Sequence, residues 1–390
     1  MSLRVGTFNV WGLPEAFSDD VSSRMRGLAA RLPGLPLDLL LVQEAWTDEV
    51  RDTLREAALR AGFEVAGGHV TSGGLMVLSR LPIRSSRFET FHFRGDPERL
   101  AQGEFLGGKG FQTLEIDAPG GPFSVINTHL HARYRRHRPQ LNSAVRTAQL
   151  LQLIGAMHRI DGMLVVGGDF NCTVDDTEYR VFSGLSRAVE LGDGRAYATL
   201  SRDNYYKKHR SDPDKRVDYL FIRPGRATRW QRLEVASLFR EPEPIRGRQR
   251  SLSDHFGFQG RIAWTSAVPA AAPPLDRAHP LRELDPRAFD LARSLLEVGR
   301  EEADRRERVH FRSAGGWALA AAVAAGVRRH PALDRRRFLR STASTLALVA
   351  VTPAIGYGTL ARLDSDIKRD AFDDAHDVLA RLEAAVHRTA

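Results

Sequence analysis

Acidic, amide and imidazole side chains follow apolar runs at several places along this chain. A single aspartate after a strand is usually a helix cap. Burying so many unpaired carboxylates and imidazoles would, however, cost too much free energy. We therefore expect these side chains to cluster or to meet solvent where strand ends converge. The set is Asn9, Glu44, His129, Asp169, Asn171, Asp218, Asp254 and His255.

These residue types predict metal-assisted hydrolysis. Carboxylate and amide oxygens suit a hard cation that retains water, which favours Mg²⁺ with Mn²⁺ as a substitute. Zinc sites are rich in cysteine and histidine, and the only cysteine here is Cys172. Histidines beside acidic partners move protons near neutral pH. A cation on a phosphoryl oxygen, with a base and an acid, makes a phosphate-ester hydrolase.

The elements that must position these side chains alternate between strand and helix patterns from residue 3 to about 264. Leu37–Gln43 is a continuous apolar run of the kind that buried strands show. Arg138–His158 carries apolar residues at helical spacings. Strands separated by helices predict two packed mixed sheets with helices outside, a four-layer α/β (α+β) sandwich.

Composition limits the class of protein without choosing a partner. The chain has 390 residues, of which 42% are hydrophobic and 27% charged, and this is typical of a globular protein. The net charge of +9 suits an anionic partner, either nucleic acid or a membrane surface. Cys172 has no disulfide partner, and Met1–Arg4 runs into a strand pattern without a secretory signal. Both features favour a cytoplasmic N-terminal domain.

The chain divides into three predicted parts. Residues 1–264 form the catalytic domain, residues 265–286 a proline- and alanine-rich linker, and residues 287–390 a helical region. The helical region contains two apolar segments, 313–327 and 341–361.

The second apolar segment suggests attachment to a membrane. Residues 341–361 carry no charge and are long enough for a span of about 20 residues. The arginine-rich Arg328–Arg340 segment favours a single span, with the catalytic domain on the cytoplasmic side. A membrane hairpin, an interfacial hairpin and a buried soluble helix are the alternatives.

The blocks around the polar residues resemble the endonuclease/exonuclease/phosphatase superfamily in order and spacing, over about residues 3–264. That resemblance implies a DNase-I-like fold. The matching blocks are Phe8-Asn9, Gln43-Glu44, Thr128-His129, Gly168-Asp169-Phe170-Asn171, Asp218-Tyr219 and Ser253-Asp254-His255.

The flanking residues look most like neutral sphingomyelinases of the membrane-bound type. The similar segments are Asn9–Pro14, Asn127–Tyr134 and Gly108-Lys109-Gly110. The order of a catalytic domain, two apolar segments and a helical tail is similar as well. AP endonucleases carry threonine and lysine after the glutamate, whereas this chain has Ala45-Trp46.

The resemblance implies roles at the metal and at the attacking water. Glu44 would hold Mg²⁺, with Asn9 and Asp254 nearby. His255 would act as the general base, oriented by Asp218.

Further roles concern the substrate phosphate. Asp169 would position the water or a second metal, so the sequence leaves the number of metals open. Asn171 and His129 would hydrogen-bond the phosphoryl oxygens, or His129 would protonate the leaving alkoxide. His131 and Lys109 would contact the head group.

The resulting expectation is a Mg²⁺-dependent, phospholipase C type phosphodiesterase acting on sphingomyelin or a related phospholipid in a membrane. The products would be a ceramide-like lipid and a phospho-base. A DNA or RNA phosphodiesterase on the same fold is the alternative, and a non-catalytic membrane-recruited module is disfavoured by the complete residue set.

The basic segments Arg133–Arg138 and Lys207–Arg210 are either solvated loops or a rim facing lipid or nucleic acid. No protein partner is predicted.

Overall fold

The computed structural model of the chain describes most of both predicted regions. The basic segment Arg133–Arg138, the residues after Lys207 in the second basic segment, and most of the predicted linker lie outside the described part. The described residues are 2–69, 71–93, 108–132, 139–192, 196–207, 212–225, 228–266, 282–329 and 337–387.

The strands and helices follow the predicted alternation. The strands are β1 (Ser2–Asn9), β2 (Leu39–Gln43), β3 (Glu64–Gly67), β4 (Met76–Ser79), β5 (Ile83–Thr90), β6 (Gly110–Ile116), β7 (Phe123–His129), β8 (Leu164–Asp169), β9 (Val189–Glu190), β10 (Asp218–Arg223), β11 (Thr228–Leu238), β12 (Glu243–Ile245), β13 (Arg248–Arg250) and β14 (Gly257–Ser266). The helices are α1 (Val21–Arg31), α2 (Asp48–Arg60), α3 (Pro139–His158), α4 (Thr177–Leu185), α5 (Pro286–Arg329) and α6 (Arg337–His387).

Two mixed sheets form the centre of the molecule. The first has the order β11-β14-β1-β2-β4-β3 and the second β5-β6-β7-β8-β10-β9. Each contains one parallel pair, β1 with β2 and β7 with β8, and its other neighbours are antiparallel. Strands β12 and β13 form a separate small hairpin.

The sheets pack face to face with helices on both outer surfaces. Apolar side chains such as Val5, Leu41, Val125 and Leu220 fill the space between the sheets. Helices α1 and α2 cover the first sheet, and α3 and α4 cover the second. The predicted four-layer arrangement of two packed mixed sheets is confirmed.

Helices α5 and α6 form an antiparallel pair, which we call the arm. Its base is part of the core outside the second sheet, where Phe289, Leu296, Phe372 and Leu379 are buried together with residues of α3 and α4. The predicted helix after the linker and the apolar segment 313–327 are one continuous helix, α5. The described base of the arm therefore packs as part of the layer outside the second sheet.

The arm runs alongside α3 toward the end of the sheet where β7 and β8 finish. Helix α3 connects these parallel strands, so it begins at their carboxyl ends and returns to their amino ends. Val378 lies against Gly155 near the end of α3, whereas Gly299 lies against Ala144 near its start. About 30 residues of α5 follow Gly299, so the arm projects about 45 Å beyond this point, at 1.5 Å per residue.

The far part of the arm exposes apolar side chains. Leu319, Leu348 and Ile355 are 66%, 71% and 64% exposed. We call residues 309–329 and 337–357 the arm tip. In the described part of the chain no helix has a stretch that is both long and apolar enough to cross a membrane, so the span expected over 341–361 is not confirmed.

Candidate active site

The sheet register brings the predicted polar residues to one edge, which we call the rim. His129 at the end of β7 pairs with Asp169 at the end of β8, and Asp169 pairs with Asp218 at the start of β10. In the other sheet, Asn9 ends β1 beside the end of β2, and Glu44 follows it. Asp254 and His255 immediately precede β14, which is antiparallel to β1. These side chains come from both sheets.

Several backbone positions around the rim have positive φ angles. Trp11, Glu44 and Asn171 have positive φ angles of 49°, 61° and 50°, which side chains other than glycine seldom adopt. Gly168 has a φ of 142°, and a Cβ there would lie 1.9 Å from the carbonyl oxygen of Thr128. Such conformations persist where the surrounding structure over-determines them, and they cluster at functional sites.

Asn9 connects the two acidic groups nearest the centre of the rim. Its Nδ2 atom donates to Glu44 Oε1 at 2.9 Å and to Asp169 Oδ2 at 3.0 Å. Its Oδ1 atom accepts from the Trp11 backbone N–H at 3.0 Å, which fixes the orientation of the amide. Asn9 is completely buried, so this bridge holds Glu44 and Asp169 close together between the sheets.

His255 and Asp218 form a buried hydrogen-bonded pair. His255 Nδ1 lies 2.9 Å from Asp218 Oδ2, and this leaves Nε2 as the ring nitrogen able to meet a substrate water. Ser253 fixes the loop, because its hydroxyl donates to the Asn9 carbonyl oxygen at 2.6 Å and accepts from the His255 N–H. The predicted orientation of His255 by Asp218 matches this contact.

Lys109, His129 and Asn171 meet around the backbone carbonyl of Leu130. Lys109 Nζ lies 2.9 Å from both this carbonyl oxygen and His129 Nε2. Asn171 Nδ2 donates to the same oxygen at 3.0 Å, and the Asn171 N–H donates to Asp169 Oδ1 at 2.9 Å. The predicted phosphate-contacting residues thus lie on the second-sheet side of the rim, next to Asp169.

The backbone of His131 is anchored to α3. Its backbone N–H donates to Gln149 Oε1 at 2.9 Å, and its carbonyl oxygen accepts from Arg146 at 3.2 Å. Arg146 also forms a fully buried ion pair with Glu178, at 2.7 Å. The Arg146–Gln149 stretch of the sequence therefore anchors the segment that follows β7.

Burial and neighbouring charge raise the pKa of two rim carboxyls. Burial and then the Asp254 carboxylate raise the pKa of Glu44 above its ordinary value. Burial and then the Asp218 carboxylate raise the pKa of Asp169 to about 7. Carboxyls held this way favour a nearby cation, because it relieves both their desolvation and their mutual repulsion.

At His255 and Asp254, neighbouring charges shift the pKa in the direction opposite to that caused by burial. Burial is the largest influence and alone would lower the pKa of His255, but the hydrogen bond and charge of Asp218, together with the Asp254 and Asp169 carboxylates, raise the pKa to about 10. Burial alone would raise the pKa of Asp254, but the Lys207 ammonium and His255 hold it below its ordinary value. The acidic neighbours of His255 therefore favour its protonated form.

The rim fits a hard divalent cation. Ligand atoms of Glu44, His129 and Asp169 lie within 4.8 Å of one another, as do those of Asp169, Asp218 and His255. Glu44 Oε2 is buried and has no hydrogen-bond partner among the described residues. An oxygen-rich donor set with an unsatisfied carboxylate oxygen is suited to Mg²⁺. Glu44 and Asn9 lie together, but the Asn9 amide turns its nitrogen to Glu44 and its oxygen to the Trp11 N–H, and Asp254 pairs with Lys207.

Sequence reasoning missed two residues that shape the rim. Lys207 was assigned only to a basic segment, yet its ammonium lies 2.6 Å from Asp254 Oδ2. Arg24 is fully buried in α1 and donates to the carbonyl oxygens of Val10 and Leu252, which joins the loop after β1 to the loop before β14. An arginine between the apolar positions of an amphipathic helix was the available signal for Arg24.

Comparison with protein families identifies the family to which this fold and rim belong. The chain belongs to the Endonuclease/Exonuclease/phosphatase family, whose model matches residues 6–255.

Two relatives from other organisms each share about a quarter of the compared residues with this chain. A putative neutral sphingomyelinase of Drosophila melanogaster is 26% identical over 285 residues, covering 70% of this chain and 64% of the relative. An inositol phosphosphingolipids phospholipase C of Schizosaccharomyces pombe is also 26% identical, covering 66% of this chain and 67% of that protein. The match therefore spans 64% of the length of the Drosophila relative and 67% of the length of the Schizosaccharomyces relative.

Solved structures share the fold. The crystal structure of sphingomyelinase C from Streptomyces griseocarneus superposes with a TM-score of 0.52 at 20% identity. The match covers 67% of this chain and 99% of that one. At this level of identity the likeness concerns the fold of the two-sheet part.

Proposed function

We propose that this protein is a Mg²⁺-dependent, phospholipase C type phosphodiesterase that hydrolyses sphingomyelin or a related sphingophospholipid. The products would be a ceramide-like lipid and a phospho-base. One observation carries the proposal: the Asn9–Glu44–Asp169 cluster and the Asp218–His255 pair lie on one rim. Relatives named neutral sphingomyelinase and inositol phosphosphingolipids phospholipase C support the substrate class.

In this proposal His255 takes the proton from the attacking water. Asp218 holds Nδ1, so Nε2 faces the reaction and the ring cannot rotate away. Glu44 would hold the cation, with Asp169 adjacent and Asn9 Nδ2 fixing both carboxylates, and the bound ion would supply charge stabilisation to a phosphoryl oxygen. A cation there opposes the imidazolium form of His255, and this lowers its pKa toward the range in which a base works.

The other side of the rim would receive the phosphoryl group. Lys109 and the Asn171 amide are fixed donors that can meet oxygens as negative charge develops on them. His129 lies beside Lys109 and 3.5 Å from Asp169, close enough to hydrogen-bond a phosphoryl oxygen or to protonate the leaving alkoxide.

We further propose that the arm tip attaches the protein to the membrane that contains its substrate. Exposed apolar side chains on both helices, including Leu319, Leu348 and Ile355, support this attachment, since burying them in lipid is favourable. Arg328 and Arg329 end α5, where they would meet anionic head groups. The arm extends past the rim side of the fold, which would orient the rim toward the same bilayer. The location of the rim on the cytoplasmic side stays a prediction from the arginine-rich segment.

Parallel assays test the enzymatic proposal. Purified full-length protein with Mg²⁺ would be incubated with sphingomyelin in mixed micelles and, separately, with plasmid DNA. Release of a phospho-base that is lost with EDTA and in His255→Ala, with intact DNA, is the expected result. Nicked DNA beside untouched lipid would support the alternative nuclease function, which the net charge of +9 also suits.

Attachment to the membrane needs a separate measurement. We expect the protein to sediment with phosphatidylserine-containing vesicles, and a Leu319→Ser/Leu348→Ser variant to remain in the supernatant. Leu59→Ser, at a leucine 56% exposed on α2, is the matched control. Equal sedimentation of all three proteins would refute a role for the arm tip.

A further inference from the structure

The short segment after β5, Phe91–Phe93, lies between the base of the arm and the rim. The sheet register places it there. Thr90, the last residue of β5, pairs with Gly110 at the start of β6, and the next residue, Phe111, pairs with Thr128 near the end of β7. The segment therefore begins at the edge of the second sheet that carries the rim residues.

The arm contacts this segment through α6. Phe372 packs against Phe93 with ring centroids 5.4 Å apart, and the two side chains are 1% and 5% exposed. Beside them, His92 Nδ1 lies 2.6 Å from Asp374 Oδ2. Helix α6 therefore holds two consecutive residues of the segment, one by an apolar contact and the other by a polar contact.

The same segment is bonded to the two residues that are expected to contact the head group. The Phe91 N–H donates to the carbonyl oxygen of Lys109 at 2.9 Å. The Phe93 carbonyl oxygen accepts from Gln149 Nε2 at 3.2 Å, and Gln149 Oε1 accepts from the His131 N–H at 2.9 Å. Gln149 is 2% exposed, so a single buried amide joins the segment to His131.

We propose that the Phe91–Phe93 segment couples the base of the arm to the substrate side of the rim, with Gln149 as the positioning residue that carries the coupling to His131. This inference rests on the proposed function, in which Lys109 and His131 contact the substrate. A buried amide that loses one partner is left unsatisfied, so Gln149 resists any shift of the segment relative to His131. Hydrolysis would then depend on the base of the arm even when the substrate is not in a membrane, because misplaced contacts lower the rate.

The metal side of the rim is held by separate contacts. Glu44 is bonded to Asn9, and His255 is bonded to Asp218. Within the described part of the chain, no hydrogen bond joins these four residues directly to the Phe91–Phe93 segment. A change in the segment should therefore weaken phosphate binding while the pH dependence set by His255 stays the same.

Binding of inorganic phosphate in the presence of Mg²⁺ tests the role of Gln149. Titration calorimetry on the full-length protein should give a Kd about tenfold weaker for Gln149→Met than for the wild-type protein, because two hydrogen bonds of a buried amide are lost. The value of kcat/KM for a short-chain, water-soluble sphingomyelin should fall by about the same factor. The rising limb of its pH–rate profile should not move.

Thr147→Val is the matched control for this variant. Thr147 is a buried residue of the same helix, and its hydroxyl has no hydrogen-bond partner among the described residues. Phosphate binding and hydrolysis should be unchanged in it. If Gln149→Met does not fold, as judged by circular dichroism, Gln149→Glu takes its place, because it keeps the acceptor for the His131 N–H and loses the donor to Phe93.

Two neighbouring aspartates test the contribution of the arm. Asp374→Ala removes the polar contact with the segment, whereas Asp373→Ala removes a contact with Arg300 inside the arm. The aspartate side chains are similarly exposed, at 56% and 51%. Hydrogen–deuterium exchange of peptides containing Phe91 and His131 should be about twofold faster in Asp374→Ala, as the loss of one exposed ion pair allows. It should be unchanged in Asp373→Ala.

Two results would overturn the inference. One is unchanged exchange at Phe91 and His131 in both Asp374→Ala and the folded Gln149 variant, and the other is equal weakening of phosphate binding by Thr147→Val. Neither measurement contains lipid, so both are independent of the sphingomyelin assay. A protein that shows the expected changes but leaves sphingomyelin intact would contradict the proposed substrate and leave the coupling standing.

Discussion

The rim and the arm tip both depart from the usual distribution of side chains, the rim by burying polar groups and the arm tip by exposing apolar ones. At the rim, carboxylates and imidazoles are buried, with Asp218 and Asn9 wholly inaccessible. At the arm tip, leucines and isoleucine are exposed. Ordinary folding does the contrary, because burial of polar groups costs free energy and burial of apolar groups releases it.

This contrast indicates what each region needs in order to be satisfied. The buried rim has unsatisfied carboxylate oxygens, which a bound cation would complete. The exposed apolar side chains of the arm tip are the observation on which the proposed membrane attachment rests. The base of the arm follows the usual distribution, because its apolar side chains are buried in the core outside the second sheet. It connects the arm tip to the part of the fold that carries the rim.

The largest expected effect is at the rim. Glu44→Gln should reduce kcat/KM for sphingomyelin by about 10³-fold, because a lost metal contact removes several kcal/mol of transition-state stabilisation. Steady-state assays at saturating Mg²⁺ would measure this loss. Glu56→Gln on the exposed face of α2 is the control and should keep full activity. Activity within tenfold of that of the wild-type protein would show that Glu44 does not hold the metal ion.

The next effect concerns the base of the arm. Phe372 is 1% exposed and packs against Phe93, with ring centroids 5.4 Å apart. Phe372→Ala should lower the free energy of unfolding by about 3–5 kcal/mol, the cost of emptying such a site.

Urea denaturation would measure that change. Trp317→Ala, at an exposed position of the arm tip, should leave the midpoint unchanged. A separate early transition for the arm, with the rest of the fold unaffected, would show that the base is not part of the common core.

A smaller effect is expected at the Asp218–His255 pair. Asp218→Asn should lower kcat by about 10²-fold, within the range of general-base contributions. Burial then dominates and lowers the pKa of His255 from the value of about 10 that Asp218 sustains. Since the base must be deprotonated, activity rises with pH, and its rising limb should move to lower pH in this variant. An unshifted pH–rate profile would argue that His255 is not the base.

The smallest expected effect is at a single side chain of the arm tip. Leu348→Ser should weaken vesicle binding by about tenfold, because fully burying one leucine contributes about 1.5–3 kcal/mol. Hydrolysis of a water-soluble phosphodiester should be unchanged. Vesicle titration with the wild-type protein and the Leu59→Ser control would measure the difference. An equal loss on soluble substrate would indicate damage to the fold.

The sequence by itself determined the alternation of elements and the residue types of the rim. Both are local properties: apolar runs mark buried strands, and a polar residue at the end of each run is visible without knowing the fold. Asn9, Glu44 and Asp169 were therefore predicted from the ends of such runs, whereas Asp218 begins its strand, and the four-layer arrangement was predicted as well.

Only the tertiary structure decided which partners these residues have. Lys207 meets Asp254, and Arg24 joins the loop after β1 to the loop before β14, across separations in the sequence that no local pattern encodes. The arm presents the same limit, because a helical pattern does not reveal that its base packs on α3 while its tip has no cover. Such choices depend on sheet register and on packing between distant segments, and these are properties of the folded chain as a whole.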